Sequence, residues 1–324
     1  MKIVTMYDQD FKNLVRARLF SLGGLSTPGH IEYFKNYYGF NFTDLSFGVI
    51  HPNGEVICLL TRHVVDGLTH FGWYGQPAKI ICRGTGEKQS QAEQAAQTYL
   101  SSLLQDGVFI DFQEPAGEMS FFSKTLLQMG INPRICPEQI LRIVDDELML
   151  RDMRKVFRQN INWGIRNLSC VVLDAESITE DDFLRFEAFH IAVAGRRTRS
   201  HSSWLTQLKL VLDGESYLVT SSLNDNLVGM SFFAASGERA YYSVGVYERG
   251  LFHHPLSHYP IWCGIRYARD IGCRELSMGE SFYPGVVDSS GRIPSEKECN
   301  ISHFKRGFGG GIHTSVRFLG CISV

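Results

Sequence analysis

The chain has 324 residues, 44% of them hydrophobic and 20% charged, which is long enough for two ordinary domains with buried cores. Lys plus Arg (32) against Asp plus Glu (34) leaves a formal net charge of −2, which excludes the whole-molecule basic field behind non-specific binding to DNA or other nucleic acid. No apolar run approaches the roughly 20 residues of a membrane span, and residues 1–10 hold no signal-peptide core, so the expectation is a cytoplasmic protein with no membrane span. The eight cysteines, at 58, 82, 136, 170, 263, 273, 299 and 321, form no CxxC pair and are expected to be reduced, mainly buried thiols.

In chain order, a turn-rich stretch at 21–30 leads into an aromatic cluster, Tyr33, Phe34, Tyr37, Tyr38, Phe40 and Phe42, that reads as core. Residues 55–65 predict a strand entered through Pro52-Asn53-Gly54, and 89–104 a helix, because Ala92, Ala95, Ala96, Leu100 and Leu103 recur at helical spacing. A strand at 108–112, a helix at 118–129 closed by Gly130 and a strand at 139–144 complete a first unit over residues 1–146.

The second unit, 147–324, opens with a predicted long helix over 147–166 that carries Arg151, Arg154, Lys155 and Arg158 on one face, a stripe that ordinarily is solvated. A strand (170–173), a helix (180–194), an Arg-rich connector (195–201) and a helix (204–212) follow. Residues 217–223, 227–235 and 240–247 read as an antiparallel meander joined by Asn224-Asp225-Asn226 and Ser236-Gly237-Glu238. A helix over 256–271 ended by Gly272, a short strand at 275–278 and a last strand at 312–318 close the chain. Both halves share a rhythm of helix, paired strands, helix and strand, which suits two units of one fold.

Several features of the second half, taken together, resemble the FemAB-like family, whose members are similar to two GNAT acyltransferase domains in tandem. They are the basic helix 151–166, Arg197 before Trp204 and Leu208, Gly214 with the strand 217–220, and Asn226-Leu227-Val228-Gly229. The order continues through Tyr241-Tyr242-Ser243-Val244-Gly245-Val246, Pro255-Leu256 opening a helix that ends Ala268-Arg269-Asp270-Ile271-Gly272, Met278-Gly279-Glu280, and His303-Phe304-Lys305-Arg306-Gly307-Phe308-Gly309. The resemblance is carried by about residues 147–318; the first half matches in length and rhythm.

It implies an α/β (α+β) fold of two GNAT-like domains with mixed, mainly antiparallel sheets flanked by helices, the first domain on the acceptor side. The implied activity is N-acyl transfer from a thioester to the amine of a small acceptor, such as an amino sugar, nucleotide-sugar or amino acid used in cell-envelope or surface-glycan synthesis. Two departures bear on the donor. The second half lacks the long polar helical hairpin of the tRNA-dependent peptidoglycan-bridge enzymes, which ranks aminoacyl-tRNA behind a thioester. It also lacks a full Gly-rich pyrophosphate loop, with Glu248-Arg249-Gly250-Leu251 standing where that loop would be, which leaves both acyl-CoA and an acyl carrier protein open as cosubstrate. No permanently bound cofactor is implied. The rivals are an aminoacyl-tRNA-dependent transferase and a non-catalytic GNAT-like binding protein.

Acyl transfer to an amine must deprotonate the ammonium, hold the oxyanion and protonate the leaving group. Ser243, Val244, Gly245 and Val246, with Arg249 and Gly250, are the candidates for the donor, because a strand that splays from its neighbour offers free amides; the plainer reading is a central strand. Lys305, between two aromatics and a glycine turn, is the candidate for a phosphate or the oxyanion. Glu280 is a candidate base and Tyr283 a candidate acid, although a surface Glu and a turn aromatic are ordinary in such places. Arg197, in the basic loop with Arg196, Arg199 and His201, would anchor an acceptor anion beside Trp204. Trp73 and Tyr74 either line an acceptor cleft or form a tight aromatic turn.

Three other combinations are discounted. His253, His254 and His258 lack an HExxH pattern and hold Pro255 between them, so no metal is expected. Cys299 with His303 lacks an oxyanion hole and an orienting group. The 84–88 segment has the wrong spacing for a Walker loop.

Overall fold

The computed structural model describes residues 1–16, 25, 27–52, 54–84, 87–104, 107–117 and 119–322. The expected turn at 52–54, the 84–88 segment and the 21–30 stretch therefore lie partly outside the described residues. The first part runs β1 (Lys2–Thr5), α1 (Gln9–Arg16), α2 (Pro28–Tyr38), β2 (Thr43–Asp44), β3 (Phe47–His51), β4 (Gly54–Leu59), β5 (Thr61–Val65), β6 (Leu68–Gly72), β7 (Lys79–Gly84) and α3 (Glu87–Leu103). Next come β8 (Phe109–Pro115), α4 (Phe121–Gln128), β9 (Pro133–Arg142), α5 (Asp146–Asp152), α6 (Lys155–Asn167), β10 (Leu168–Leu173), α7 (Glu180–Ala194) and α8 (His201–Leu212). The chain ends with β11 (Ser216–Leu223), β12 (Asn226–Ser236), β13 (Arg239–Tyr247), α9 (His258–Asp270), β14 (Glu275–Glu280), α10 (Glu296–Lys305) and β15 (Gly311–Cys321).

Mixed, mainly antiparallel sheets flanked by helices are what the motifs implied. A four-stranded sheet has the order β1-β3-β4-β7, and an eleven-stranded sheet the order β10-β11-β12-β13-β14-β9-β15-β8-β6-β5-β2. Strand pairing crosses residue 146, since β9 is hydrogen-bonded to β14 on one side and to β15 on the other, and β15 pairs with β8. Each half thus lends a strand to the other's sheet, and the two share one continuous hydrogen-bonded layer. One core lies under α3, α4 and the four-stranded sheet; a second is built by α6, α9 and one face of β11–β14; a third fills the opposite face under α7 and α8.

Two expected elements divide. The strand read over 55–65 is β4 and β5, which belong to different sheets, with buried Leu60 at the switch between them. The helix read over 147–166 breaks at Met153 and Arg154, both with extended ψ. No Pro or Gly causes the break. The Arg154 amide donates to the Gly307 carbonyl (3.1 Å), and the Arg158 guanidinium donates to the carbonyls of Leu150, Arg151 and Met153 (3.0, 3.1 and 3.1 Å), which caps α5 from outside. The expected basic stripe is therefore not one face of one helix. Replacing Arg158 by alanine leaves those carbonyls unpaired and is expected to cost about 1–2 kcal/mol, read as a melting temperature lowered by a few degrees.

The meander forms as read. Its first turn uses Asn224 (φ 49°) and Asp225 (φ 64°), residue types that tolerate the left-handed region that a two-residue hairpin requires. All eight cysteines are free thiols: four buried, three half-buried and Cys321 exposed. Among the described residues no helix is long and apolar enough to cross a membrane.

Candidate functional site

β13 pairs with β12 along its whole length, but with its parallel neighbour β14 only over residues 239–241. Beyond that the two strands part, and each is bulged where they do so. The β12–β13 register shifts between Phe232 and Phe233, which makes Ser243 the extra residue, and the β14–β9 register shifts between Ser277 and Gly279. Bulges bend strands and end pairing, so this pair of irregularities is what opens the sheet. Gly245 lies on the freed edge, where a Cβ would stand 1.8 Å from the Tyr242 hydroxyl.

Along the freed edge of β13 lies a cleft of about 1030 Å³, walled by Tyr242, Ser243 and Gly245 of β13, Phe252 and Leu256 of the following loop, and Phe304 and Lys305 of α10. α9 starts at this cleft with no side-chain cap on Ser257, so its positive end is turned toward any occupant. The loop before it is a 3-10 turn at Arg249–Leu251, in which the Glu248 carboxylate accepts from the Gly250 amide (3.0 Å). Val246 is buried and Val244 packs against the third core, so the part of 243–246 open to the cleft is Ser243 and Gly245.

Lys305 ends α10 with its Nζ donating to the Met278 carbonyl and 5.8 Å from the Tyr242 ring centroid. Its position is fixed by a triangle of rings, Phe157, Phe304 and Phe308, with centroids 5.1 to 5.5 Å apart. Gly307 lies against that triangle, where a Cβ would meet the Phe157 ring at 2.0 Å. Burial lowers the Lys305 pKa from 10.5 to about 8. Gly279, at φ +85°, is placed so that a Cβ would lie 3.1 Å from the Tyr241 hydroxyl and 3.6 Å from Lys305 Nζ. Tyr241, whose phenol burial pushes up to about 12, lines two further cavities on the other side of the sheet. Lys305 from the donor side and Tyr241 from the far side thus converge on one side-chain-free point.

The first of those cavities, about 410 Å³, lies between α2 and the α7–α8 pair and is lined by Tyr33, Phe34, Tyr37, His190, Arg199 and Tyr241. α2 is tied to α8 by Asn36 donating to Thr206 (2.8 Å). The second, about 430 Å³, adds Lys79, Glu138 and Ser277; burial lowers the Lys79 pKa to about 8 against the opposing pull of Glu138.

The remaining sequence candidates fall elsewhere. Both Glu280 oxygens accept from Ser289, at 3.1 Å from its amide and 2.9 Å from its hydroxyl, which makes Glu280 a holder of the 281–292 loop. Tyr283 lies under the Arg306 guanidinium at 4.7 Å, away from the cavities, and so is not placed as an acid. Arg197 is 54% exposed and paired at 2.6 Å with the buried Glu187 carboxylate, which takes up its charge. Trp204, 1% exposed, is a core residue of the third cluster with no face for an acceptor.

Trp73 and Tyr74 are buried in a tight aromatic turn, with Trp73 and Gln76 bonded across it and Tyr74 (φ 50°) and Gly75 (φ 78°) in the left-handed region. His254 stacks on Trp163, His258 bonds to Asn160, and among the described residues no group of three His, Cys, Asp or Glu side chains is arranged to hold a metal. The sequence reading named Arg199 within the basic loop and Tyr241 within a motif but singled out neither, and it passed over His30 and Lys79. Arg199 was visible as one of four basic residues in a loop, but which of them faces inward is decided by Trp204, over which its guanidinium lies at 3.8 Å.

No protein-family model and no curated protein matches the sequence. Among solved structures the chain is similar to FemX, at 12% identity and a TM-score of 0.67, with 98% of this chain and 97% of that chain covered. It is also similar to L-PGS from Bacillus licheniformis (10% identity, 90% and 91% covered, TM-score 0.52). A conserved protein of unknown function from Bacteroides thetaiotaomicron VPI-5482 matches at 9% identity, 90% and 89% covered, TM-score 0.52. The chain has the fold of FemX along its whole length, the FemAB-like, GNAT-type architecture that the motifs of its second half resemble.

Proposed function

We propose that this protein is an N-acyltransferase that receives an activated acyl or aminoacyl group in the cleft along the freed edge of β13 and passes it to an amine held on the far side of the sheet. The observation that carries the reading is the convergence on Gly279 of Lys305, which lines the donor cleft, and Tyr241, which lines the α2–α8 cavity, with Ser243 lining both. In the transfer, the amine nitrogen attacks the acyl carbonyl, the Lys305 ammonium and the Tyr241 phenol hold the developing oxyanion, and the leaving sulfur or oxygen departs with a proton.

The walls of the donor cleft favour a thioester on a pantetheine arm. Phe252, Leu256 and Phe304 suit an acyl chain, whereas the Gly250 amide that a coenzyme A pyrophosphate would need already serves Glu248. An acyl carrier protein therefore fits better than acyl-CoA. The same preoccupied loop favours, as second reading, the ester of an aminoacyl-tRNA, which needs no pyrophosphate grip.

The test is to supply acyl carrier protein thioesters, acyl-CoA and aminoacyl-tRNA in parallel to the purified chain with a mixed amine panel and to read amide products by mass spectrometry. Product with none of the donors would overturn the reading. With a working donor, kcat is expected to fall as pH rises through about 8, because the lysine that holds the oxyanion loses its charge there. Lys305→Arg is expected to move that limb upward by a unit or more, since guanidinium stays charged.

A further inference from the structure

The α2–α8 cavity holds two buried imidazole nitrogens without a partner and a guanidinium without a carboxylate. Arg199 donates to two neutral acceptors, the Tyr33 hydroxyl (3.1 Å) and the Gln207 side-chain oxygen (3.0 Å), and among the described residues it forms no ion pair. His30, 2% exposed, lines the same cavity with its Nε2 buried and without a hydrogen-bond partner. His190 Nδ1 is buried and unpartnered there as well.

The polarity of His30 follows from its neighbours. The Thr27 hydroxyl donates its one proton to the Glu215 carboxylate, so towards His30 Nδ1, 2.8 Å away, it can only accept. Nδ1 therefore carries the hydrogen and Nε2 presents a lone pair to the cavity. Burial lowers the His30 pKa to about 4, which keeps the ring neutral and that lone pair free. A buried acceptor of this kind is costly unless something donates to it, and a guanidinium in the same cavity that has neutral acceptors but no carboxylate suits an anion. The rings of Tyr33, Phe34 and Tyr37 form part of the remaining wall, and the volume of about 410 Å³ lies near the lower end for small-molecule sites.

We infer that this cavity is the acceptor pocket and that its ligand is a small amino acid-type molecule, with a carboxylate on Arg199, an N–H on His30 Nε2 and an apolar or aromatic side chain against the tyrosines. A single guanidinium fork without a lysine or an amide nest suits a carboxylate, and the volume is too small for a whole nucleotide-sugar. The inference rests on the proposed transferase reading. Its chemistry balances as acyl thioester plus amino acid giving N-acyl amino acid plus free thiol: a C–N bond forms, the C–S bond breaks, and one amine proton goes to the sulfur.

The test uses the full chain and reads the melting temperature with L-tyrosine, L-leucine, tyramine, phenylacetate, glucosamine, UDP-N-acetylglucosamine and inorganic phosphate, followed by titration of whichever shifts it. The expected result is a shift with one of the amino acids, little with tyramine or phenylacetate, and an affinity lowered about 10- to 100-fold by Arg199→Gln, with Arg199→Lys in between because it keeps the charge and loses the fork. His30→Leu is expected to weaken the amino acid and leave phenylacetate unchanged. Circular dichroism and the unliganded melt show whether each variant folds, and Arg199→Lys serves if Arg199→Gln does not.

Shifts with glucosamine, the nucleotide-sugar or phosphate while both amino acids are silent would overturn the inference. So would amino acid binding that survives both the Arg199 and the His30 substitutions. Amino acid binding with no transfer from any donor would sink the transferase reading and leave the pocket assigned; transfer to an amine without a carboxylate, indifferent to Arg199, would do the reverse.

Discussion

Replacing Lys305 by alanine is expected to lower kcat for acyl transfer by about 100- to 1,000-fold, the usual loss when one preorganised donor to an oxyanion is removed. The apparent KM for the acceptor is expected to change little, because Lys305 opens on the donor side of Gly279. The fold is expected to survive, since Phe157, Phe304 and Phe308 hold the α10 end whatever residue 305 carries.

The charged lysine opposes folding most below pH 8, and that penalty fades as the pH rises above it. Its folded pKa, about 8, lies below the unfolded value of 10.5, so between these pH values the unfolded chain binds more protons and stability rises with pH. The difference in pH-dependent stability between the wild type and Lys305→Ala isolates that contribution. Unchanged kcat in a folded, saturated variant would remove Lys305 from the reaction.

Trp204→Ala is expected to cost about 3–5 kcal/mol of stability, the range for a large aromatic side chain deleted from a packed interior. The indole is 1% exposed, edge-on to Phe186 at 5.0 Å and His190 at 5.2 Å, and carries Arg199 on its face at 3.8 Å. Trp204→Phe retains the ring packing and is expected to cost clearly less. Denaturant unfolding checks both. A role confined to acceptor contact predicts an unchanged unfolding midpoint. The truncation is also expected to weaken ligand binding at Arg199, because the guanidinium loses the surface that aims it into the cavity.

The contrast between Arg197 and Arg199 shows how far the candidate site was legible. The loop from 195 to 201 announces basic chemistry, and the motif order pointed to Arg197, but a carboxylate ten residues earlier on α7, Glu187, takes that charge. Arg199 faces inward only because α8 brings Trp204 and Gln207 beneath it and α2 brings Tyr33 across. In the same way the cluster Tyr33, Phe34, Tyr37 and Tyr38 read as core from composition. It is core on one side and the wall of a cavity on the other, and a one-dimensional pattern does not separate these. His30 lay in a stretch read as turns, yet Thr27 caps α2 through the His30 amide (3.2 Å), so the stretch ends in a helix.

Lys305 was legible for a local reason: the rings that immobilise it and the glycines that let the chain turn past them are its sequence neighbours. Local chemistry of this kind, together with the period-2 meander over 217–247 and the helix near 89–104, was determined by the sequence alone, because side-chain alternation, helical spacing and turn residues act over a few positions. Only the tertiary structure decided what depends on distant partners: the break between α5 and α6, made by Gly307 and Arg158; the split of 55–65 between two sheets; and the insertion of β15 between β8 and β9. It likewise decided that β13 parts from β14, and hence that Lys305 and Tyr241, 64 positions apart, meet at Gly279. Strand pairing and cavity formation are long-range contacts whose hydrogen-bond partners and packing surfaces lie far away along the chain, and no local preference encodes them.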